Sequence, residues 1–303
     1  MGDNAAHEAM ATNDSLVTRA CALQEFLATE ALTQLLTGIH TLPCLPRLYL
    51  EVVEAIQAPH GSLETIGRII ERDRGMSVKI LQLANCTFFG GDHQVSRPAQ
   101  AVGFLGLDSV KALMLSVKVF AAFDPTHVQG FCLDALWQHS VTTAACAKHI
   151  ATMESRDRQV IDEAFMAGLL HDLGKLVFAA HLPQAYSQAL RLAQADSMPP
   201  WEAERILLGA SHAELGAYLL GLWGLPDAVV EALAFHHRPS VCPHPAFSPL
   251  TAVHVANALV YEGDGPATVD ASQRIDHDYL LALRLSGRFT TWREHCETML
   301  AAA

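Results

Sequence analysis

The segment AGLLHDLGKLV, residues 167–177, places a histidine beside an aspartate at the end of an apolar run. Imidazole nitrogen and carboxylate oxygen are ligands that zinc, iron and manganese accept. On a helix predicted over 160–172, Asp172 continues the apolar stripe of Ile161 and Phe165, and His171 lies beside that stripe. Because a carboxylate on a core-facing stripe is costly unless it is paired or bound to a metal, the pair is a candidate metal site.

Four other predicted helices direct polar side chains toward their apolar faces in the same way. The 3.6-residue period puts a histidine or an asparagine on or beside the inward stripe of each helix. The residues concerned are His139, His212, His236, His237 and Asn257. If these helices converge in the fold, their side chains and the His171-Asp172 pair form one set of metal ligands.

A simpler interpretation of the same residues stays open. His171 and Asp172 also suit the end of a helix, where they form hydrogen bonds within the core. His236 and His237 suit the polar end of a helix, where an imidazolium favours the negative end of the dipole. The remaining histidines without aligned partners are predicted to lie outside any site, and they include His93, His127, His149, His181 and His244.

Composition predicts a globular, all-α protein. Half of the 303 residues are hydrophobic, and Pro and Gly mostly separate the apolar segments. A chain of this length buries a large core in one or two domains. The seven cysteines contain no CxxC pair, so we expect buried, reduced thiols and no thiolate zinc site.

Charge and hydropathy exclude several classes of partner. The 20 basic and 32 acidic residues give a formal net charge of −12, which disfavours binding to a phosphate backbone. Apolar runs such as 112–117 and 164–170 fall short of the roughly 18 residues that cross a bilayer, and the first residues lack an apolar signal core. We therefore expect a cytoplasmic protein that binds neither nucleic acid nor membrane.

The segment 63–85 has one feature of a DNA-binding motif. It reads as two short helices with four basic residues, Arg68, Arg72, Arg74 and Lys79. Three acidic residues in the same segment, Glu64, Glu71 and Asp73, offset most of that charge. A lobe of short helices that docks a protein explains the same pattern, and we favour it.

Helix start and stop signals divide the chain into many short helices. Ser62, Asp108 and Ser211 are predicted N-caps, and Pro183 is predicted to open a helix. Gly75 is predicted to separate two helices. The stretch 124–130 is the predicted internal boundary.

The order of these blocks resembles the HDOD domain, a branch of the HD superfamily of metal-dependent phosphohydrolases. The segments that carry the resemblance include TLPCLP, LWQHS, AFMAGLLHDLGKLV and HAELGAYLLGLWGLPDAVVEALAFHH, over roughly residues 38–260. The resemblance implies an all-α fold with an N-terminal helical lobe and an HD-like helical lobe. We therefore expect four parts: an extension with one helix (1–37), the N-terminal lobe (38–126), the HD-like lobe (127–262) and a C-terminal tail (263–303).

The family also implies a set of site residues. Its nearest enzymatic relatives are the HD-GYP cyclic-di-GMP phosphodiesterases, whose metal pattern maps onto His139, His171, Asp172, His212, His236 and His237. Lys175 maps as the phosphate contact, and Asp172 and Lys175 are the catalytic candidates, although Lys175 also suits a solvated surface position. The pattern implies one or two divalent ions, of iron, manganese, zinc or magnesium, and Asp172 would bridge two.

This chain departs from the enzymatic pattern at two places. Asn257 stands where the pattern has its last aspartate, and a neutral amide is a poorer ligand. The stretch LVFAAHLPQAY also lacks the glycine-and-proline loop that names the enzymatic branch. The resemblance therefore implies a non-catalytic signal-transduction module that binds signalling proteins, a small phosphate-containing ligand or a second copy of itself. The alternative is a metal-dependent phosphodiesterase that acts on cyclic dinucleotides.

Overall fold

The computed structural model describes residues 23–37, 39, 45–58, 62–85, 95–122, 128–244, 246–260 and 274–301. Regular structure within these ranges is entirely helical, which confirms the all-α prediction. No helix in the same ranges has the length and apolar character needed to cross a membrane.

Before residue 123, the described residues form six helices in addition to a short helical run at 23–27. They are α1 (Glu30–Thr37), α2 (Arg47–Gln57), α3 (Leu63–Glu71), α4 (Arg74–Ala84), α5 (Pro98–Leu105) and α6 (Leu107–Ala122). Helices α3 and α5 approach closely, since a Cβ atom on Gly67 would lie 2.7 Å from the Cβ of Ala99. Gly67 is thus needed at this position because any side chain would push the two helices apart.

Eight helices follow between residues 133 and 260. They are α7 (Leu133–Glu154), α8 (Arg158–Leu170), α9 (Leu173–His181), α10 (Pro183–Ala195), α11 (Pro200–Leu208), α12 (His212–Leu222), α13 (Asp227–Phe235) and α14 (Pro249–Val260). The long helix α7 packs against α8 and α14, and α13 packs against both α12 and α14. Helix α13 also packs against α8, and the residues that directly follow these two helices, His171 and His236, have ring centroids 5.1 Å apart.

The helices before and after residue 123 share one hydrophobic core. Helix α8 packs against α6 as well as α7, and buried apolar side chains from both sets form a single cluster. The predicted boundary at 124–130 falls largely outside the described residues, so the four predicted parts stay predictions. The single helix predicted within the extension (1–37) is described only from residue 23, and the described part is helical at 23–27 and again in α1.

The C-terminal residues pack on the second set of helices. They form α15 (His277–Ala282) and α16 (Phe289–Ala301). The carboxylate of Glu154, at the end of α7, accepts hydrogen bonds from Arg288 (2.7 Å) and from the indole of Trp292 (2.9 Å). Since Trp292 is completely buried, α16 is part of the packed structure.

Most predicted helix ends are confirmed, and two are wrong. Ser62 and Ser211 cap α3 and α12 through their hydroxyl groups, and Pro183 is the first residue of α10. Asp108 is not a cap, because α6 begins at Leu107 and the amide of Val110 donates to the carbonyl of Gly106.

Gly75 does not separate two helices. The carboxylate of Asp73 accepts from the amide of Met76 at 3.0 Å and starts α4 at Arg74, so Gly75 lies inside the first turn. The cysteine prediction also needs one correction. Cys146, Cys242 and Cys296 are buried as expected, but Cys132 is exposed.

Candidate metal centre

The predicted site residues converge on the carboxylate of Asp172. Helix α8 ends at Leu170, His171 keeps a helical backbone, and Asp172 is the N-cap residue of α9. The predicted helix over 160–172 therefore ends two residues too late, and Asp172 lies in the junction between two helices. Because His171 ends one helix and Asp172 starts the next, the two neighbouring side chains can turn toward each other, with Nε2 of His171 lying 3.3 Å from Oδ2 of Asp172.

Two close helix contacts place that junction in the core. A Cβ atom on Gly168 would lie 2.7 Å from the Cα of Ala144 on α7. A Cβ atom on Gly174 would collide with the carbonyl group of His212 on α12. The absence of side chains at these glycines allows α7 and α12 to bring their histidines up to Asp172.

One oxygen of Asp172 faces the first group of ligand-type side chains. Its Oδ2 atom lies 3.3 Å from Nε2 of His171 and 3.7 Å from Nε2 of His139. The two imidazole nitrogens are 3.2 Å apart, and Nε2 of His139 is 3.0 Å from Oδ1 of Asn257. The predicted ligands of α7, α8 and α14 thus meet at one side of the carboxylate.

The other oxygen faces the second group. Oδ1 of Asp172 lies 3.1 Å from Nε2 of His212 and 3.9 Å from Nε2 of His236. Nε2 of His237 is 3.0 Å from Nε2 of His212. One ligand atom each from His139, His171 and Asp172 lie within 4.8 Å of one another. The same holds for Asp172, His212, His236 and His237, so Asp172 belongs to both sets.

Lys175 lies at the edge of this cluster. Its Nζ atom donates to Oδ2 of Asp172 at 2.8 Å, and the side chain is 20% exposed. The simpler interpretation of Lys175 as a solvated surface lysine is therefore wrong. The contact places a cation beside the candidate ligands and at the exposed side of the site.

Hydrogen bonds on the far side of three rings fix their orientation. Nδ1 of His171 donates to the carbonyl of Gly168, and Nδ1 of His236 donates to the carbonyl of Leu233, both at 2.7 Å. Nδ1 of His212 is 2.6 Å from a carboxylate oxygen of Glu204. A ring whose Nδ1 carries the proton presents an Nε2 lone pair toward Asp172, which is the form that binds a metal.

Burial sets the charge of these groups. Burial lowers the pKa of His139 to about 4, and burial, together with neighbouring rings, holds the pKa values of His236 and His237 well below the ordinary value. The imidazolium interpretation of His236 and His237 is therefore disfavoured. Burial alone raises the pKa of Asp172, but His171 and Lys175 outweigh it, and the net pKa lies well below the ordinary value.

Comparison with known proteins places this arrangement in a family. The family model described as HDOD domain matches residues 42–239. The chain belongs to the HDOD domain family. An uncharacterized protein of Treponema pallidum (strain Nichols) is 28% identical over 240 residues, which cover 78% of this chain and 45% of that protein. The chain thus spans about half the length of this curated relative.

Two crystal structures have the same fold as this HDOD chain. An HDOD domain protein with unknown function from Geobacter sulfurreducens has a TM-score of 0.66 at 21% identity, with 94% of this chain and 99% of that chain covered. A protein named as a candidate phosphohydrolase from Shewanella amazonensis SB2B has a TM-score of 0.66 at 22% identity, with 90% and 95% covered. Similarity at this level of identity shows the fold alone.

The side chains of this HDOD domain fit the metal that its superfamily implies. Nε2 of His236 is buried and has no hydrogen-bond partner within the described part of the chain, which is costly for a polar atom unless a ligand satisfies it. The Nε2 atoms of His212 and His237 face each other at 3.0 Å, an arrangement that requires a proton or a cation between them. The donor set contains only nitrogen and oxygen, which suits zinc, iron or manganese.

Sequence reasoning found every side chain in contact with Asp172, but it missed two supporting residues. Glu204, on α11, is completely buried and also accepts from the backbone amide of His212 at 2.7 Å. His254, on α14, is buried and its Nδ1 donates to the carbonyl of His236 at 2.7 Å. Glu204 could have been found from the sequence, because it lies on the apolar side of α11. The contact of His254 could not, because it depends on how α13 and α14 cross.

Proposed function

We propose that this HDOD chain is a non-catalytic signal-transduction module. Its HD-like lobe holds one or two divalent ions, binds a small phosphate-containing ligand at that centre, and passes the ligand-bound state to a partner protein. The shared carboxylate of Asp172, with a group of imidazole nitrogens at each oxygen, is the observation that carries this proposal.

Each of the two groups of side chains around Asp172 would hold one ion. His139, His171 and Asn257 would hold an ion on one side of Asp172, and His212, His236 and His237 would hold an ion on the other. Such an ion supplies Lewis acidity and lowers the pKa of water. Lys175 lies at the exposed side of the site, where its ammonium group offers a contact for a phosphate.

Two features favour binding over hydrolysis. His171, Asp172, His212 and His236 are each at most 1% exposed, so a ligand reaches only the side of the centre formed by His139, Lys175 and His237. Asn257 supplies a neutral amide oxygen, which does less than a carboxylate to neutralise bound cations.

Metal content is the first test. The full chain would be purified, loaded with zinc, manganese or iron, and measured by inductively coupled plasma mass spectrometry. We expect the wild type to hold one or two ions per chain more than Asp172→Ala. Asp134→Asn, at an exposed position in the first turn of α7, is the matched control and should keep the wild-type content.

Ligand binding and turnover are the second part of the same test. We expect the metal-loaded chain to bind a cyclic dinucleotide in titration calorimetry, and we expect Lys175→Met to weaken binding while it keeps its metal. Bis-p-nitrophenyl phosphate should not be hydrolysed faster by the wild type than by Asp172→Ala. A chain that takes up no metal at the Asp172 centre would contradict the proposal.

Phosphodiester hydrolysis is the second candidate function. The contact between Lys175 and Asp172 favours it, because that lysine lies where it could steady a phosphate beside both ligand groups. The Shewanella neighbour is also named as a candidate phosphohydrolase. Turnover that requires metal and disappears in Asp172→Ala would establish this function in place of the non-catalytic one.

A further inference from the structure

A second group of metal-ligand side chains lies outside the Asp172 centre. It consists of Glu231 on α13, together with Cys242 and His244 in the segment that follows the short 3-10 turn Pro239–Val241. One ligand atom from each residue lies within 4.8 Å of the other two. We call these three residues the Glu-Cys-His cluster.

Its members are turned inward. Glu231 is 2% exposed and Cys242 is 7% exposed. Nδ1 of His244 is buried, lies 3.7 Å from Oε2 of Glu231, and has no hydrogen-bond partner among the described residues. The sequence prediction that His244 has no aligned partner is therefore wrong, because the turn after α13 folds the segment back onto Glu231.

The separation of these atoms fits a shared cation better than a direct bond. A distance of 3.7 Å exceeds a hydrogen bond between nitrogen and oxygen. Nitrogen and oxygen ligands about 2.0–2.2 Å from a tetrahedral zinc ion lie roughly 3.4 Å from each other. A buried carboxylate beside a buried imidazole nitrogen and a thiol therefore has the spacing and the chemistry of a zinc-type site.

We propose that Glu231, Cys242 and His244 bind a zinc-type divalent ion at a site separate from the Asp172 centre. The thiol loses its proton on binding, and the three protein ligands leave the fourth position to water. His244 is partly exposed, so the ion enters from its side of the cluster.

The position of the cluster gives the ion a structural role. Glu231 precedes the His236-His237 pair in the sequence, and Cys242 and His244 follow it. An ion that joins these residues would fix the segment that carries two ligands of the Asp172 centre. Its binding free energy would then stabilise that segment in the folded protein.

Cobalt spectroscopy separates the two sites. The Asp172 centre has only nitrogen and oxygen donors, so a thiolate-to-cobalt charge-transfer band in the near ultraviolet reports only on a site that contains a cysteine. The full chain would be freed of metal and titrated with Co²⁺ under reducing conditions. We expect the final intensity of the band to correspond to one thiolate-bound Co²⁺ per chain in the wild type, and to be the same in Asp172→Ala.

Variants of the cluster decide the assignment. Cys242→Ser should abolish the band, and His244→Gln should weaken cobalt binding at this site by at least tenfold, as the loss of one of three ligands requires. Cys132→Ser, which changes an exposed free thiol, is the matched control and should leave the band unchanged. Circular dichroism checks that each variant folds.

Two results would overturn the proposal: no charge-transfer band in the wild type, or a band that survives in Cys242→Ser. If Cys242→Ser does not fold, an unchanged band in the partly exposed variant His244→Gln would overturn it equally. The result does not depend on the proposed function, because failure of the Asp172 centre to bind metal leaves this band intact.

Discussion

Glu204 is a side chain outside the candidate centre that orients one of its ligands, His212. Its carboxylate binds both the backbone amide and Nδ1 of His212, at 2.7 and 2.6 Å, and is completely buried. Burial lowers the pKa of His212, but the negative charge of Glu204 outweighs it, and the net pKa is raised. The carboxylate therefore orients the ring and makes its Nε2 atom a stronger electron-pair donor.

Replacing Glu204 by glutamine should weaken metal binding at the Asp172 centre. The amide keeps the size of the side chain but removes the charge that supports His212, and loss of such a partner typically costs about 10-fold to 100-fold in metal affinity. Competition with a zinc chelator would measure the change. Glu202→Gln, on the same helix α11, should keep the wild-type affinity, and equal losses in both variants would argue against a specific role for Glu204.

Between helices, the contact of α9 with α12 determines whether His212 reaches Asp172. Gly174 allows this contact because an added Cβ atom would collide with the backbone of His212. Gly216 lies in α12, the same helix as His212, and faces Gly174 of α9. A Cβ atom added to Gly216 would lie 3.2 Å from the amide nitrogen of Gly174. The two helices thus meet through backbone atoms, and their separation has little room to adjust.

Gly174→Ala should therefore destabilise the fold and weaken the centre together. Overpacking of a tight core typically costs about 1–3 kcal/mol, and the displaced His212 would lose its contact with Asp172. Urea denaturation and metal content would be measured on the same preparation. Gly221→Ala is the control, since its Cβ atom would lie 3.9 Å from Val230, and we expect it to be neutral or to stabilise the helix by up to about 1 kcal/mol.

Helical periodicity predicted which side chains each helix turns toward the core. It did not predict where the helices end or how they cross. It identified the inward side chains of α7, α8, α12, α13 and α14, because burial of an apolar face fixes which side of a helix turns inward. It did not reveal Glu204 or the partner of His244, since those contacts depend on the packing of α11 and on the turn after α13. Asp108 and Gly75 were misplaced because a nearby residue, Gly106 or Asp73, starts the helix instead.

For the molecule as a whole, the buried histidines make stability depend on pH. Burial lowers the pKa values of His139, His236, His237 and His254 below the unfolded value near 6.5, to about 4 for His139. Between the two values the unfolded chain binds protons that the folded chain excludes, so stability falls as pH decreases. His212 has a raised pKa and acts in the opposite direction, while Asp172 has a lowered pKa and loses its contribution only below about pH 3.8.

Metal-free protein should therefore lose stability as the pH falls from about 7 toward 4. Each ring that stays neutral contributes about 1.4 kcal/mol per pH unit, so the free energy of unfolding should drop by several kcal/mol across this range. Urea denaturation in the presence of a chelator at successive pH values would measure it. His139→Gln removes one of these rings and should give a shallower slope. A free energy of unfolding that stays constant or rises toward pH 4 would show that the folded protein does not hold these rings neutral below their ordinary pKa.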